Sequence, residues 1–539
     1  MMHFMLHRFT RILPVLFLFC CLPALAQEAE AEQCINLKIG KDTTFFTGPV
    51  NDDGTIDYVA ALNQHYGEGV KNKENAFALM MQLLPQWQDE DEVDQTHRQR
   101  MYRALGLPVD RGIPRVQLWH TFAIDQDLTQ EQVDQIFEEG LAGPWSAEEF
   151  PHLKAWVDAS EPAIALLIDS LGCEGYYAPL IRVEDDEPMI SVLLPHLGMQ
   201  RQVGKLLCIR AWCELQAGND EEVIATLKHL HRMGDLVSSE PPLISRLVGI
   251  SLQSMQTPLI EAIAERGVLP DELAKDYLNQ LASIEPIDSI PDAIAVHERS
   301  MVLDAVLRSW AGKDSGLAMF MGSLGFLDRA GDELTPANEA MFQKVEALSQ
   351  SPYFDINTAL RYINHQFDRQ QVVAKQHGIK ARRDAFQDFS ESLSEQAPMK
   401  LVFILINISA EEELPKDWTV KRYSESVAKV YARMLMPSLG KALRTQDRLN
   451  ARRLVEATAI ALLGYREQHG ELPDSLDALV PTYFDTVPID FATDKPLVFR
   501  VNDDGSAIVY SLGNNLKDDG GVDDYNDGDI AIRIGVPQR

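Results

Sequence analysis

Between residues 205 and 283 apolar side chains recur three and four positions apart, in helix-length runs cut short by Gly and Pro turns. Lys205 to Ala217, Glu221 to Met233, Ile244 to Ala264 and Glu272 to Ser283 each read as an amphipathic helix. Gly218-Asn219-Asp220 and Gly267-Val268-Leu269-Pro270 read as turns between them. A 3.6-residue period cannot serve a strand, whose faces alternate every second residue. This stretch therefore commits the chain to helix packed on helix.

Pairs of this size are helical-repeat-like, although no strict period of about 34 residues with its small and aromatic positions recurs. Helical patterning extends to both sides. Tyr58 to Leu62 and Ala76 to Met81 read as buried stripes, and Trp119 to Pro162 holds further patches. Residues 286–440 continue the pattern, with looser stretches at 331–337 and 409–417. Residues 27–45 read as polar and loose, and the acidic run 88–94 as a solvated loop. The apolar run Leu401 to Ile408 is far below the roughly 18 residues of a membrane span and reads as a core element.

The pattern changes after about residue 470. Leu497 to Val501 and Ala507 to Ser511 read as strands, joined by the turn Asn502-Asp503-Asp504-Gly505, and Ile530 to Ile534 as a third. The expected architecture is mainly α. An irregular or repeat-like helical region over 27–440 precedes a small α+β unit over 441–539, with a long helix and an antiparallel sheet.

The first 26 residues have the parts of a secretory signal: basic Arg8 and Arg11, an apolar run from Ile12 to Leu22, and Ala24-Leu25-Ala26 before the expected cut at Gln27. The expectation is an exported protein, periplasmic or extracellular, with no stable membrane insertion after cleavage. The chain carries 49 basic and 81 acidic residues, net −32, and loss of Arg8 and Arg11 takes this to −34. Nucleic acid, which demands a basic footprint, is excluded as a partner. Four cysteines follow the leader, too few for a disulfide scaffold. Cys208 and Cys213 are expected to point apart on one helix, and a Cys34–Cys173 bridge stays open.

The segment Ser511 to Ile530 packs six aspartates, three asparagines and four glycines beside one lysine. Hard oxygen ligands on a turn-prone backbone suit calcium, and without a cation such carboxylates repel one another. It is not an EF-hand. With Gly528 as the sixth residue the twelfth is Ile534, and with Gly520 it is Asn526, so neither register holds the bidentate glutamate.

The order of short motifs is informative. A helical run leads into Ala461-Leu462-Leu463-Gly464-Tyr465 and Gly470-Glu471-Leu472-Pro473. Val487-Pro488-Ile489-Asp490-Phe491 and Lys495-Pro496-Leu497 follow, and then Tyr510-Ser511-Leu512-Gly513, Gly520-Gly521 and Asp529-Ile530. From about Arg453 onward this resembles the C-terminal domain of the major pseudopilin of type II secretion systems. The resemblance implies a calcium ion held by Ser511, Asn515, Asp527 and Asp529, with Leu512 as a backbone donor. Asn515 stands where that family usually has Asp, and the loop is a few residues longer, so Asp518, Asp519, Asp523 or Asp524 are substitute ligands. The chain opens with a secretory leader where a pseudopilin has a prepilin site, so it reads as carrying a borrowed module. The overall layout is similar to that of large exported proteins of planctomycete-type bacteria.

No G-x-S-x-G, HExxH, CxxC or phosphate-loop motif occurs. His229 and His231 fall on different sides of a helix, Glu298-Arg299 reads as an ion pair, and Trp212 and Trp310 as core. Asp185-Asp186 reads as loop charge. The leading expectation is an exported non-enzymatic scaffold that binds a protein partner. The alternatives are an exported hydrolase with a site assembled in the helical region, and an accessory of a secretion machine.

Overall fold

The computed structural model describes residues 36–536 apart from 72–73, 85–91, 109–111, 125, 127, 282–289, 317–328, 331–332, 335, 377, 412, 437–439 and 524–527. The expected signal segment, Cys34, Asp524 and Asp527 lie outside the described residues. The helices in chain order are α1 (Tyr58–Gly67), α2 (Ala76–Leu83), α3 (Glu92–Ala104), α4 (Trp119–Ile124), α5 (Gln130–Ala142), α6 (Pro151–Leu171), α7 (Pro195–Gln216), α8 (Asp220–Ser238), α9 (Leu243–Ser254), α10 (Thr257–Arg266) and α11 (Asp271–Leu281). They continue as α12 (Ile290–Ala293), a π-helical turn over Ile294–Glu298, α13 (Arg299–Trp310), α14 (Pro336–Ala347), α15 (Ile356–Ala374), α16 (Ile379–Gln396), α17 (Met399–Ser409), α18 (Val420–Leu435) and α19 (Gly440–His469). The protein is mainly helical, with a small antiparallel sheet at its C-terminal end.

The regular central stretch folds as its periodicity dictates, with one break. The expected single helix over Ile244 to Ala264 is two, α9 and α10, parted at Met255-Gln256. Pro258 explains the break, because its ring occupies the first turn of a new helix and cannot donate to the old one. α8 and α9 approach closely through glycine. A Cβ at Gly249 would collide with the Ser238 hydroxyl and the Gly234 carbonyl. Trp212 and Trp310 are core, at 3 % and 5 % exposure.

α19 runs through this layer. It packs against α9, α10 and α11 on one side and against the sheet on the other. A single apolar core extends from Ala76 to Ile534, so residues 441–539 share their interior with the helices. The sheet has strand order β5 (Val498–Val501), β6 (Ala507–Ser511), β7 (Ile530–Ile534), preceded by the short pairs β1 (Arg329–Ala330) with β2 (Glu333–Leu334) and β3 (Ile489–Asp490) with β4 (Lys495–Pro496). Val498 faces Tyr510, and Ser511 faces Ile530. The β5–β6 turn has Gly505 at φ 83°, a conformation that glycine adopts without strain. Gly535 N–H donates to Ala264 O at 2.9 Å and staples the end of β7 to α10.

A second apolar core gathers α1 and α12 to α18. Residues 36–45, expected to be loose, are clamped to α15 instead. Asn357, Arg361 and Asn364 share a helix face at spacings of four and three. Asn357 donates to Asn36 O (2.7 Å), Arg361 Nε to Asp42 Oδ2 (2.7 Å) and Asn364 to Thr43 O (2.6 Å). Arg299 stacks on Phe45 at 4.6 Å and donates to Asp368 at 2.6 Å, while Glu298 meets His297 at 3.0 Å. The expected Glu298–Arg299 pair is therefore not made: Glu298 is taken by His297 and the Leu243 N–H, and Arg299 by Asp368. Leu401 to Ile408 lies on α17 with Phe403 and Ile404 exposed at 59 % and 43 %, so only one face of it is core. Among the described residues no helix is long and apolar enough to cross a membrane.

Candidate functional site

The acidic loop joins β6 to β7, two strands held by the buried ladder beneath it. Each predicted ligand among the described residues already has partners. The Ser511 hydroxyl donates to Asp490 Oδ1 at 2.7 Å and accepts from Gly513 N at 3.2 Å. Leu512 N–H donates to the other Asp490 oxygen at 3.1 Å. Asn515 Oδ1 accepts from Lys517 N at 2.8 Å, and its Nδ2 donates to Asp519 at 2.7 Å. Asp518 accepts from Tyr510 OH (2.9 Å), Gly520 N (3.0 Å) and Arg500 Nη2 (3.0 Å). The backbone turns sharply here, with Leu516 at φ 61° and Gly513 at φ 59°.

Asp529 differs from the others. It is wholly buried, and one oxygen accepts from Gly521 N at 2.8 Å while Oδ1 has no partner. Burial pushes its carboxyl above the usual range, the Gly521 and Asp519 backbone N–H groups pull it back in part, and the charges of Asp519 and Asp518 add to the rise. The Asn514 side-chain oxygen is likewise buried and unpartnered. Two unmatched oxygens inside a loop are the donor chemistry a hard cation takes. Among the described residues no three His, Cys, Asp or Glu side chains come together as a metal-holding group.

Arginine does part of the neutralising that the sequence assigned to a cation. Arg448 Nη2 meets Asp523 Oδ1 at 3.0 Å, and Arg452 pairs with its other oxygen. Both project from α19 one turn apart, so the long helix anchors the middle of the loop. Arg383 donates to Asn514 O at 3.1 Å. Asp490 is a residue whose role was missed. It stands in the quoted Val-Pro-Ile-Asp motif, and at 2 % exposure it ties β3 to the start of the loop.

A separate polar cluster lies deep in the helical layer. Glu240, 2 % exposed, accepts from Tyr176 OH (2.6 Å) and Ser245 Oγ (2.6 Å) and meets His196 Nε2 at 3.2 Å. The Phe77 ring stands edge-on to His196 at 5.0 Å, and Gln200 reaches Tyr176 OH at 3.2 Å. His97 of α3, 2 % exposed, neighbours His196 with its Nε2 unpartnered. Burial, then the His196 charge, lowers its pKa to about 4. Of the other residues singled out by sequence, His231 is buried and His229 half-buried, while Asp186 pairs with Arg308 and Lys313. Among the described residues Cys173, Cys208 and Cys213 are free thiols.

Comparison with protein families, with curated proteins and with solved structures gives no match.

Proposed function

We propose that this chain is an exported, non-enzymatic scaffold for a protein partner, whose pseudopilin-like C-terminal unit is ordered by calcium. The observation that carries the calcium reading is Asp529, a wholly buried carboxylate with one oxygen unmatched. An ionised, half-satisfied carboxylate is costly inside a protein, and a bound cation removes that cost. Asp529 would hold the ion, with the Asn514 and Asn515 amide oxygens, the Ser511 hydroxyl, the Leu512 backbone and Asp518 as further donors. Asp527 belongs to the same set by sequence. The ion would supply local charge neutralisation and loop order. Broad helical layers that share a core with α19 support the scaffold reading, since loop order would pass into the helices through Arg448 and Arg452.

The test uses the full chain, because α19 is built into the helical core. Calcium at one hundred times its dissociation constant stabilises by about 2.7 kcal/mol, so melting should rise with calcium over chelator. Asp529→Asn should abolish that rise while leaving the chelated protein as stable as wild type or more so. An equal melt with calcium and chelator at millimolar ion sinks the metal reading.

A further inference from the structure

A cavity of about 530 Å³ opens between α11, α19 and the segment 481–491. Its size is that of a small-molecule site. Leu278, Leu454 and Phe484 form apolar wall. Ile489 and Phe491 stand on the wall at 42 % and 37 % exposure, so two large apolar side chains face water there. Among the described lining residues Arg453 is the one base and Asp485 the one acid.

Arg453 is 4 % exposed. Its Nη2 lies 3.2 Å from His231 Nε2, while Nε and Nη1 meet no acceptor. The nearby acids are committed elsewhere. Asp235 accepts from Gln253 Nε2 at 2.6 Å and pairs with His231 at 3.3 Å. Glu456 takes the Thr257 hydroxyl and Gln256 Nε2, and burial pushes its pKa up to about 7, so near neutrality it carries only part of a charge. A buried guanidinium with two unmatched nitrogens is a standing cost that an entering oxyanion would remove.

We propose that this cavity binds a small amphipathic monocarboxylate, its tail against the Ile489–Phe491 lip and its carboxylate on Arg453. The ligand bears one charge, because one base lines the cavity and Asp485 shares the wall. A phosphate dianion would lack a second cation and face repulsion. The apolar lip calls for a tail, since exposed apolar side chains beside a cavity gain most from covering by hydrocarbon. Binding requires the Arg453 guanidinium to turn toward the cavity, which the four rotatable bonds of its stem permit. This inference stands apart from the calcium reading.

The probe is octanoate on the full chain at pH 7, followed by titration calorimetry, with octanamide as its uncharged counterpart. Octanoate is expected to bind at least about tenfold more tightly than octanamide, the effect of one buried charge-assisted hydrogen bond. Arg453→Met should erase that preference. The double variant I489S/F491S changes only exposed lip residues and should weaken both ligands, which keeps the proposal open to refutation if R453M does not fold. Equal affinities for acid and amide in the wild type, unchanged binding in the lip variant, or no saturable heat at millimolar octanoate would overturn it.

Discussion

His97 offers a test of the helical layer that needs no ligand. Its imidazole is buried on α3 beside His196, and its pKa is held at about 4 against 6.5 in the unfolded chain. Below pH 6.5 the unfolded chain takes up a proton that the folded protein refuses until about pH 4. Stability is therefore fully present above pH 6.5 and is lost as pH falls. At 1.36 kcal/mol per unit, the difference of about 2.5 units corresponds to about 3 kcal/mol, of which about 2 kcal/mol is gone by pH 5. Urea unfolding of wild type and His97→Gln at pH 7.5 and pH 5.0 isolates the group. The variant starts lower, having lost a buried side chain that fits its site, but its stability should fall by about 2 kcal/mol less over this range. Equal losses in both proteins would refute the reasoning, since titration elsewhere would then account for the acid sensitivity.

Glu456 works in the opposite sense. Its pKa is raised to about 7 by burial, so its contribution is present below pH 4.5 and is lost as pH rises through 7. Between pH 5 and pH 8 wild type should lose about 2.5 kcal/mol more than Glu456→Gln in urea melts, and parallel losses would contradict this. Together the two groups favour a stability maximum between their titrations. Gly249→Ala should cost about 1–3 kcal/mol by thermal or urea melting, because the added methyl meets the Gly234 carbonyl and Ser238 across the α8–α9 contact. An unchanged midpoint would mean that the two helices part more easily than their packing implies.

What the sequence determined by itself was local. Apolar spacing placed the central helices, and Asn502 to Gly505 placed a hairpin turn where the strands Val498–Val501 and Ala507–Ser511 meet. Such features depend on backbone preference and side-chain period within one element, which neighbours in sequence decide. The break at Met255-Gln256 was also local, and Pro258 was its visible signal. Only the tertiary structure decided the rest. It set Arg448 and Arg452 against Asp523 across 71 residues or more and bound Ser511 to Asp490. It clamped residues 36–45 to α15 across more than 300 positions, and it left Asp529 and Arg453 buried with unmatched polar atoms. Charge pairing and burial depend on distances between elements, and no pattern along the chain encodes those distances. Composition marked the loop as acidic, whereas packing decided which of its carboxylates arginine neutralises and which one keeps an unmatched oxygen.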